Sequence, residues 1–320
     1  MQLIVQPDAG LAPLLKAVRD AKKSVDLVIF RFNRVELERA LAAAVARGVV
    51  VRALIAHTNQ GGEKALRKLE MRLLEAGVTV SRTADDLPRY HGKMTIVDDR
   101  VFVLGFNYTK QDIEKSRSFG ITTRDGKLHK EALALFEADV TRQPYKPGHD
   151  LFVVSPEASR EKLAKLISSA KKQILIYDDR VTDRLMLRLL KERAAAGVEI
   201  RLIGRLGKPV EGVVARRLSD LRLHVRTIIC DGTRAFVGSQ SLRKLELDSR
   251  REVGIIAKDS KIVKKMVEVF ETDWKLSAGD KKAEKKKEEP EVKDKSDAKD
   301  VKSDSDKDKS DKDKKVAATA

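Results

Sequence analysis

"HGKMTIVDD", residues 91–99, sets a histidine two places before a lysine and seven before an aspartate, and runs through an apolar, β-branched core. The pattern returns in "HVRTIICDG", residues 224–232, with Arg226 in place of the lysine. In a chain with five histidines, about 0.1 accidental matches to such a pattern are expected. Two matches therefore point to a duplicated unit.

The flanking sequence bears this out. "PDAGLAPLLKAVRDAKKSVDLVIF" from Pro7 aligns with "PEASREKLAKLISSAKKQILIYDD" from Pro156, an offset of 149. The same offset places Ala21-Lys22-Lys23 on Ala170-Lys171-Lys172, and "RGVVVRALI" from Arg47 on "AGVEIRLIG" from Ala196. Each half reads as helix, strand, helix, strand: apolar residues at helical spacing, then a β-branched run. Strands alternating with amphipathic helices predict an α/β layered fold. At the motifs the offset falls to 133, setting His91 on His224, Lys93 on Arg226, Asp98 on Asp231 and Gly105 on Gly238. The first half should thus carry about 16 extra residues, in or beside "TNQGGEKALRKLEMRLLEAG". The expected units are residues 1–146 and 150–277, with 278–320 a separate segment.

Charge narrows the ligand class. The net charge is +17, and residues 280–320 hold 14 lysines against 13 acids, which leaves about +16 to residues 1–279. Such a field attracts polyanions, whether nucleic acid or anionic lipid headgroups. The Lys/Asp/Ser-rich tail has no periodic apolar face and is expected to be disordered. No stretch reaches the roughly 18 apolar residues of a membrane span, and "MQLIVQPDAG" does not read as a secretory signal. The lone Cys230 excludes an internal disulfide framework and is expected to be a buried thiol in a reducing compartment. A cytoplasmic chain, in peripheral contact with an anionic membrane, is the expectation. Aromatic residues make up 4% of the chain, which disfavours base stacking.

On a strand, residues i and i+2 share a face, so His91 projects with Lys93 and His224 with Arg226. Two such strands meeting across a pseudo-twofold axis would set two imidazoles and two cations around one phosphodiester. The cations neutralise phosphate oxygens, one imidazole attacks phosphorus and the other protonates the leaving oxygen. No metal or other cofactor is called for. His57, His129 and His149 lack this context and are expected to be structural. "GRLGKP", residues 204–209, lacks the Gly-Lys-Ser/Thr ending of a nucleotide loop and is expected to be a loop beside the site.

The doubled His-x-Lys-x4-Asp pattern resembles the phospholipase D superfamily over nearly the whole chain except the tail. "VLGFNYT" and "FVGSQSLR" resemble the Gly-Ser-x-Asn segment that follows the motif, and the opening of the second half resembles bacterial cardiolipin synthase-like members. The resemblance implies two tandem phospholipase D-like α/β/α units packed with pseudo-twofold symmetry, forming one site in a monomer. It implies a phosphohistidine intermediate resolved by water or an alcohol, and an acid about 28 residues after each histidine. That acid is Glu252 after His224, whereas the count from His91 reaches Phe119. Glu252 is then expected to orient His91 as nucleophile, and His224, without such support, to be the general acid. Lys93, Arg226, Asn107 and Ser239 are the implied phosphate ligands; Asp98, Asp231, Gly105 and Gly238 are structural. In this register Phe106 and Tyr108 stand where serine and asparagine are expected, and Ser241 replaces the second asparagine. Three functions remain open: a phospholipid phosphodiesterase or phosphatidyltransferase, a nuclease using the same site, or a non-catalytic anion-binding module.

Overall fold

Apolar runs bounded by glycines, capping aspartates and charged turns become the elements, and the two halves deploy them in one order. The computed structural model describes residues 1–57 and 62–279. The first repeat comprises β1 (Gln2–Gln6), α1 (Ala12–Asp20), β2 (Ser24–Ile29), α2 (Val35–Ala46), β3 (Val50–Ile55), α3 (Glu63–Glu75), β4 (Thr79–Arg82), β5 (Met94–Val97), β6 (Arg100–Leu104), α4 (Lys110–Glu114), β7 (Ser116–Thr123) and α5 (Gly126–Thr141). The second comprises β8 (Phe152–Ser155), α6 (Ser159–Ser168), β9 (Gln173–Val181), α7 (Arg184–Ala195), β10 (Glu199–Leu206), β11 (Val213–Arg217), β12 (Arg222–Leu223), β13 (Arg226–Cys230), β14 (Arg234–Gly238), α8 (Lys244–Asp248), β15 (Glu252–Ala257), α9 (Ser260–Leu276) and β16 (Ala278–Gly279).

The strand orders match one for one. The first sheet reads β1-β7-β6-β5-β2-β3-β4, and the second reads β8-β15-β14-β13-β9-β10-β11 before ending on β16. Helix α3 has no counterpart, so the extra residues of the first half are one helical turn-and-return between β3 and β4; residues 58–61 of that segment lie outside the described residues. Strands β1 and β8 are additions to the expected helix-first unit. At five and four residues they are too short to show a period. The tail lies outside the described residues, except that Ala278 and Gly279 pair with β11 and so belong to the second sheet.

Three apolar clusters define the layers. One packs α1, α2 and α3 on the outer face of the first sheet, and another packs α6 and α7 on the second. The third is shared: Phe136 of α5, Phe119 of β7, Tyr177 of β9 and Phe270 of α9 bury together between the sheets. Glycine permits one of the close approaches in the second sheet. Gly204, with φ +146°, would set a Cβ 1.6 Å from the Asp178 carbonyl oxygen. "GRL" of residues 204–206 is therefore the end of β10, where the register with β9 shifts, and not the expected loop.

The hairpins after the two histidines differ by one residue, and this corrects the alignment beyond them. Val97 pairs with Arg100 across a two-residue turn, whereas Cys230 pairs with Arg234 across three. From there the halves align with an offset of 134: Leu104 pairs with Gly120 as Gly238 pairs with Gly254. Gly105 thus corresponds to Ser239 rather than to Gly238, and Ser118 rather than Phe119 corresponds to Glu252. Asn107 likewise corresponds to Ser241, so it occupies the asparagine position and Gly105 the serine position.

The motif aspartates start these turns. Asp98 (φ 50°) and Asp231 (φ 53°) adopt the left-handed conformation that aspartate tolerates. Asp98 accepts the amides of Lys22, Lys23 and Ser24 at 2.9, 2.8 and 3.0 Å. Asp231 does the same for Lys171, Lys172 and Gln173. Each ties the hairpin to the helix–strand junction before it. Asp98→Ala and Asp231→Ala should each cost about 1–3 kcal/mol, because three amides lose a charged acceptor. Urea unfolding followed by circular dichroism measures this, and a loss below the measurement error in both variants would refute the assignment.

Candidate active site

Each histidine sits just before its strand, where the chain crosses to the other repeat. Tyr90 bridges Arg251 in parallel, and Leu223 of β12 bridges Arg117 of β7 in the same way. The Arg251 carbonyl accepts the amides of His91 and Gly92 at 2.7 and 3.0 Å, and the Arg117 carbonyl accepts that of His224 at 3.2 Å. Gly92 is required here, since a Cβ would lie 2.7 Å from Val253 Cγ2. Residue i of one copy meets residue j of the other in both senses, which is the mark of a twofold interface.

The crossing brings His91 to Glu252. Its Nδ1 lies 2.9 and 3.1 Å from the two carboxylate oxygens, while Lys93 Nζ lies 2.7 Å from Nε2 and donates to the His91 carbonyl at 2.6 Å. Because Lys93 donates to Nε2, the imidazole proton is assigned to Nδ1, pointing at Glu252. Burial, then the charge of Lys93, pushes His91 well below the ordinary histidine value. Burial likewise pushes Glu252 up, against the pull of Lys93. Burial pushes Lys93 down to about 7. The centre therefore holds a neutral imidazole whose Nε2 is covered by a buried amine. The edge of His91 packs on Phe30, with ring centroids 4.6 Å apart.

His224 is not without a carboxylate, contrary to expectation. Asp112 of α4, only 21 residues after His91, brings Oδ2 to 3.6 Å from His224 Nδ1. That nitrogen has no hydrogen-bond partner among the described residues. Burial pushes Asp112 up, but His224, the two Asn107 donors and Arg222 outweigh it and hold the carboxyl below its ordinary range. Burial pushes His224 well below its ordinary value, with Asp112 resisting and Arg226 and Lys93 reinforcing. These mutual effects place both histidines, Lys93 and Arg226 in one electrostatic neighbourhood. Spacing from the histidine leads only to the β7 position that Ser118 fills; "TKQD" at the start of α4, with Thr109 capping the Asp112 amide, is the signal that marks Asp112.

The remaining expected residues fall differently. Arg226 Nε donates to Ser241 Oγ at 3.1 Å. Asn107 Nδ2 donates to Asp112 at 2.7 Å, and its carbonyl oxygen is buried without a partner among the described residues. Ser239 Oγ exchanges hydrogen bonds with the Val253 backbone at 3.3 and 3.1 Å. Both side chains are thus tied into the walls of the site. Gly105 and Gly238 face each other closely: a Cβ on Gly105 would lie 3.3 Å from the Gly238 carbonyl oxygen. His129 Nε2 meets the Asp98 carbonyl and His149 Nδ1 accepts the Leu151 amide, both outside the site. Burial pushes the Cys230 thiol up to about 12, which leaves it inert.

Comparison with known proteins matches both repeats. The family model described as "Cardiolipin synthase, PLD-like domain" matches residues 14–140 and 163–274. The human protein named mitochondrial cardiolipin hydrolase is 35% identical over 133 residues, 41% of this chain and 50% of that protein. Cardiolipin synthase 1 of Bacillus cereus is 22% identical over 341 aligned positions, 86% of this chain and 66% of its own length. The chain thus spans about half to two-thirds of these relatives. In fold it is similar to the polyphosphate kinase of Porphyromonas gingivalis, with a TM-score of 0.72 at 17% identity over 85% of this chain and 50% of that one. No helix among the described residues is long and apolar enough to cross a membrane.

The Lys93 environment makes a pH-dependent prediction. The folded value near 7 lies below the ordinary 10.5, so between these values the unfolded chain binds more protons and stability rises with pH. The cost of burying the charge is full at and below pH 7 and vanishes near 10.5. Lys93→Met should therefore be more stable than the parent chain by the largest margin near pH 7, and the margin should shrink as pH rises. Paired denaturant titrations at pH 7 and 9.5 test this; a margin that grows with pH would be the wrong sign.

Proposed function

The chain belongs to the cardiolipin synthase, phospholipase D-like domain family, and from that premise we propose that it cleaves or exchanges a phospholipid phosphodiester through a phosphohistidine on His91. The observation that carries this reading is His91 held at both nitrogens, with Glu252 on Nδ1 at 2.9 Å and Lys93 on Nε2 at 2.7 Å. An incoming phosphate draws Lys93 Nζ onto its own oxygens and favours its ammonium form, which uncovers Nε2. The Nε2 lone pair then attacks phosphorus as the bond to the leaving oxygen breaks, and His224 gives that oxygen its proton. Asp112 and the charge of the bound phosphate both favour the protonated His224 this step needs. In the second step His224 takes a proton from water or an alcohol, whose oxygen attacks phosphorus and breaks the P–N bond. Lys93 and Arg226 neutralise the developing charge throughout, so no metal is required. Glu252 and Asp112 are positioning residues, each reaching across to the other repeat's histidine. The basic surface suits peripheral docking on an anionic bilayer.

With phosphatidylglycerol vesicles and single-stranded DNA assayed side by side, turnover should appear on the lipid and persist in EDTA. His91→Ala should remove both turnover and the acid-labile covalent label. His224→Ala should slow turnover by about 10²–10⁴-fold, the usual worth of a general acid, while retaining the label. Unchanged turnover in both variants would sink the catalytic reading, and activity confined to DNA would move it to a nuclease.

The role of Asp112 is separable from folding. Asp112→Asn should lower kcat by roughly 10- to 100-fold, part of the general-acid contribution, and shift the limb of the pH–rate profile set by His224. Ser118 is the counterpart of Glu252, so Ser118→Glu in the Asp112→Asn background should recover part of the loss. A pH profile unmoved by Asp112→Asn would leave Asp112 a purely structural residue.

A further inference from the structure

The two motif cations are held in different ways. Lys93 Nζ rests on His91, at 2.7 Å from Nε2 and 2.6 Å from the carbonyl oxygen. Arg226 makes no such contact with His224. Its Nε donates to Ser241 Oγ at 3.1 Å, and among the described residues its two terminal nitrogens have no hydrogen-bond or ion-pair partner. Behind Ser241 stands Asp178 of β9, only 2% exposed. It accepts the Leu242 amide at 2.7 Å and the Arg180 amide at 3.0 Å. Burial pushes its carboxyl up; Arg226, the Leu242 amide and the Ser241 hydroxyl resist, and Glu246 reinforces the burial.

The first repeat has no such acid. Ile29 pairs with Ile55 on β3 as Asp178 pairs with Gly204 on β10, so the carboxylate stands where the other copy buries an isoleucine. Ser241 likewise stands where the first repeat has Asn107, and Arg226 where it has Lys93. A carboxylate in a core position costs free energy unless donors and a counter-charge meet it. Here two amides meet it, and the cation that acts on it most is Arg226. The acid, the serine and the arginine thus differ from the first repeat together. A guanidinium is planar, so holding Nε and its plane leaves the two terminal nitrogens as parallel donors matched to two oxygens of one phosphate. A lysine has no second nitrogen by which to be held.

We propose that Asp178 is a positioning residue for phosphate binding: through Ser241 it fixes the plane of the Arg226 guanidinium, so that both terminal nitrogens meet the two non-bridging oxygens of the reacting phosphate. This rests on the reading of Arg226 as a phosphate ligand, and it applies to a phosphodiester of any parentage. Arg226 is then the fixed clamp of the site, and Lys93 the cation that moves.

The sign of one substitution separates this role from others. The charge of Asp178 opposes a bound anion, so its loss alone would tighten phosphate binding. An asparagine offers one acceptor oxygen to three donors, the two amides and the hydroxyl, so Asp178→Asn releases Ser241 and with it Arg226. Isothermal titration of the full chain with inorganic phosphate reads the effect without turnover. Asp178→Asn and Ser241→Ala should each weaken binding about 10-fold, the scale of one charge-assisted hydrogen bond. In the Arg226→Lys background Ser241→Ala should change nothing, and Asp178→Asn should leave the affinity equal or tighter. Ser241→Ala removes no charge and carries the test by itself where Asp178→Asn does not fold. Tighter binding in Asp178→Asn with Arg226 present, or the same loss in both backgrounds, would overturn the relay. No phosphate binding by the parent chain would overturn the relay and the phosphodiester site together. Phosphate binding that follows the relay, in a chain that turns over no phospholipid, would uphold the relay and overturn the lipid reading.

Discussion

The reciprocal crossing of the two repeats is the constraint from which the site follows. Arg117 of β7 pairs with Asp273 of α9 at 2.8 and 3.0 Å, and Arg251, just before β15, pairs with Asp139 of α5 at 3.1 Å. The same guanidinium groups donate to the carbonyls of Gln6 and Ser155, at the ends of β1 and β8. All four charged groups are largely buried, and a buried charge left without its partner costs about 3–5 kcal/mol. Each arginine carbonyl meanwhile receives the histidine amide of the other copy. Side chain and backbone of one residue therefore lock the sheet edge, the partner helix and the motif together, and neither repeat holds its own histidine without the other.

Within that symmetric frame the two halves have diverged in charge. Glu252 has Ser118 opposite it, Asp112 has Glu246, and Arg222 has Arg89. The first pair gives His91 a carboxylate from β15; the second gives His224 one from α4, at longer range and with three further donors competing for it. The short contact fits the nucleophile role proposed for His91, and the carboxylate 3.6 Å from His224 fits the proton-donor role proposed for it. The third pair follows from the second: Arg222 donates to Asp112 at 2.6 Å, whereas Glu246 serves the Ser241 amide and Arg250, so Arg89 is left with the longer-range pull of Glu252 and Glu246.

Much of this was legible in the sequence because the motif couples spacing to chemistry. His-x-Lys requires one strand face, the aspartate requires a turn, and both requirements survive at fixed distance in each copy. The offset of 149 over helix and strand predicted matching sheets, which the strand orders show. What did not survive was counting across a turn. Asp98-Asp99 and Asp231-Gly232-Thr233 close equivalent hairpins with different lengths, and one added residue moved Gly105, Asn107 and Ser118 out of register. The acid for His224 was illegible for a different reason: it lies on a five-residue helix, α4, reached through the fold and not through the motif. Strands β1 and β8 escaped because four or five residues carry no readable period.

Fold alone leaves the chemistry open, since the same architecture is shared with a polyphosphate kinase. What bears on it is the contact between Lys93 and His91. Burial holds Lys93 near 7 against the pull of Glu252, Asp112 and Glu246, and its Nζ covers His91 Nε2 at 2.7 Å. Under the proposed mechanism, binding of a phosphate and exposure of Nε2 are the same event, and a water molecule that entered alone would bring no charge to draw Lys93 away. That coupling depends on Lys93 remaining buried, and its burial depends on the crossing of the two repeats.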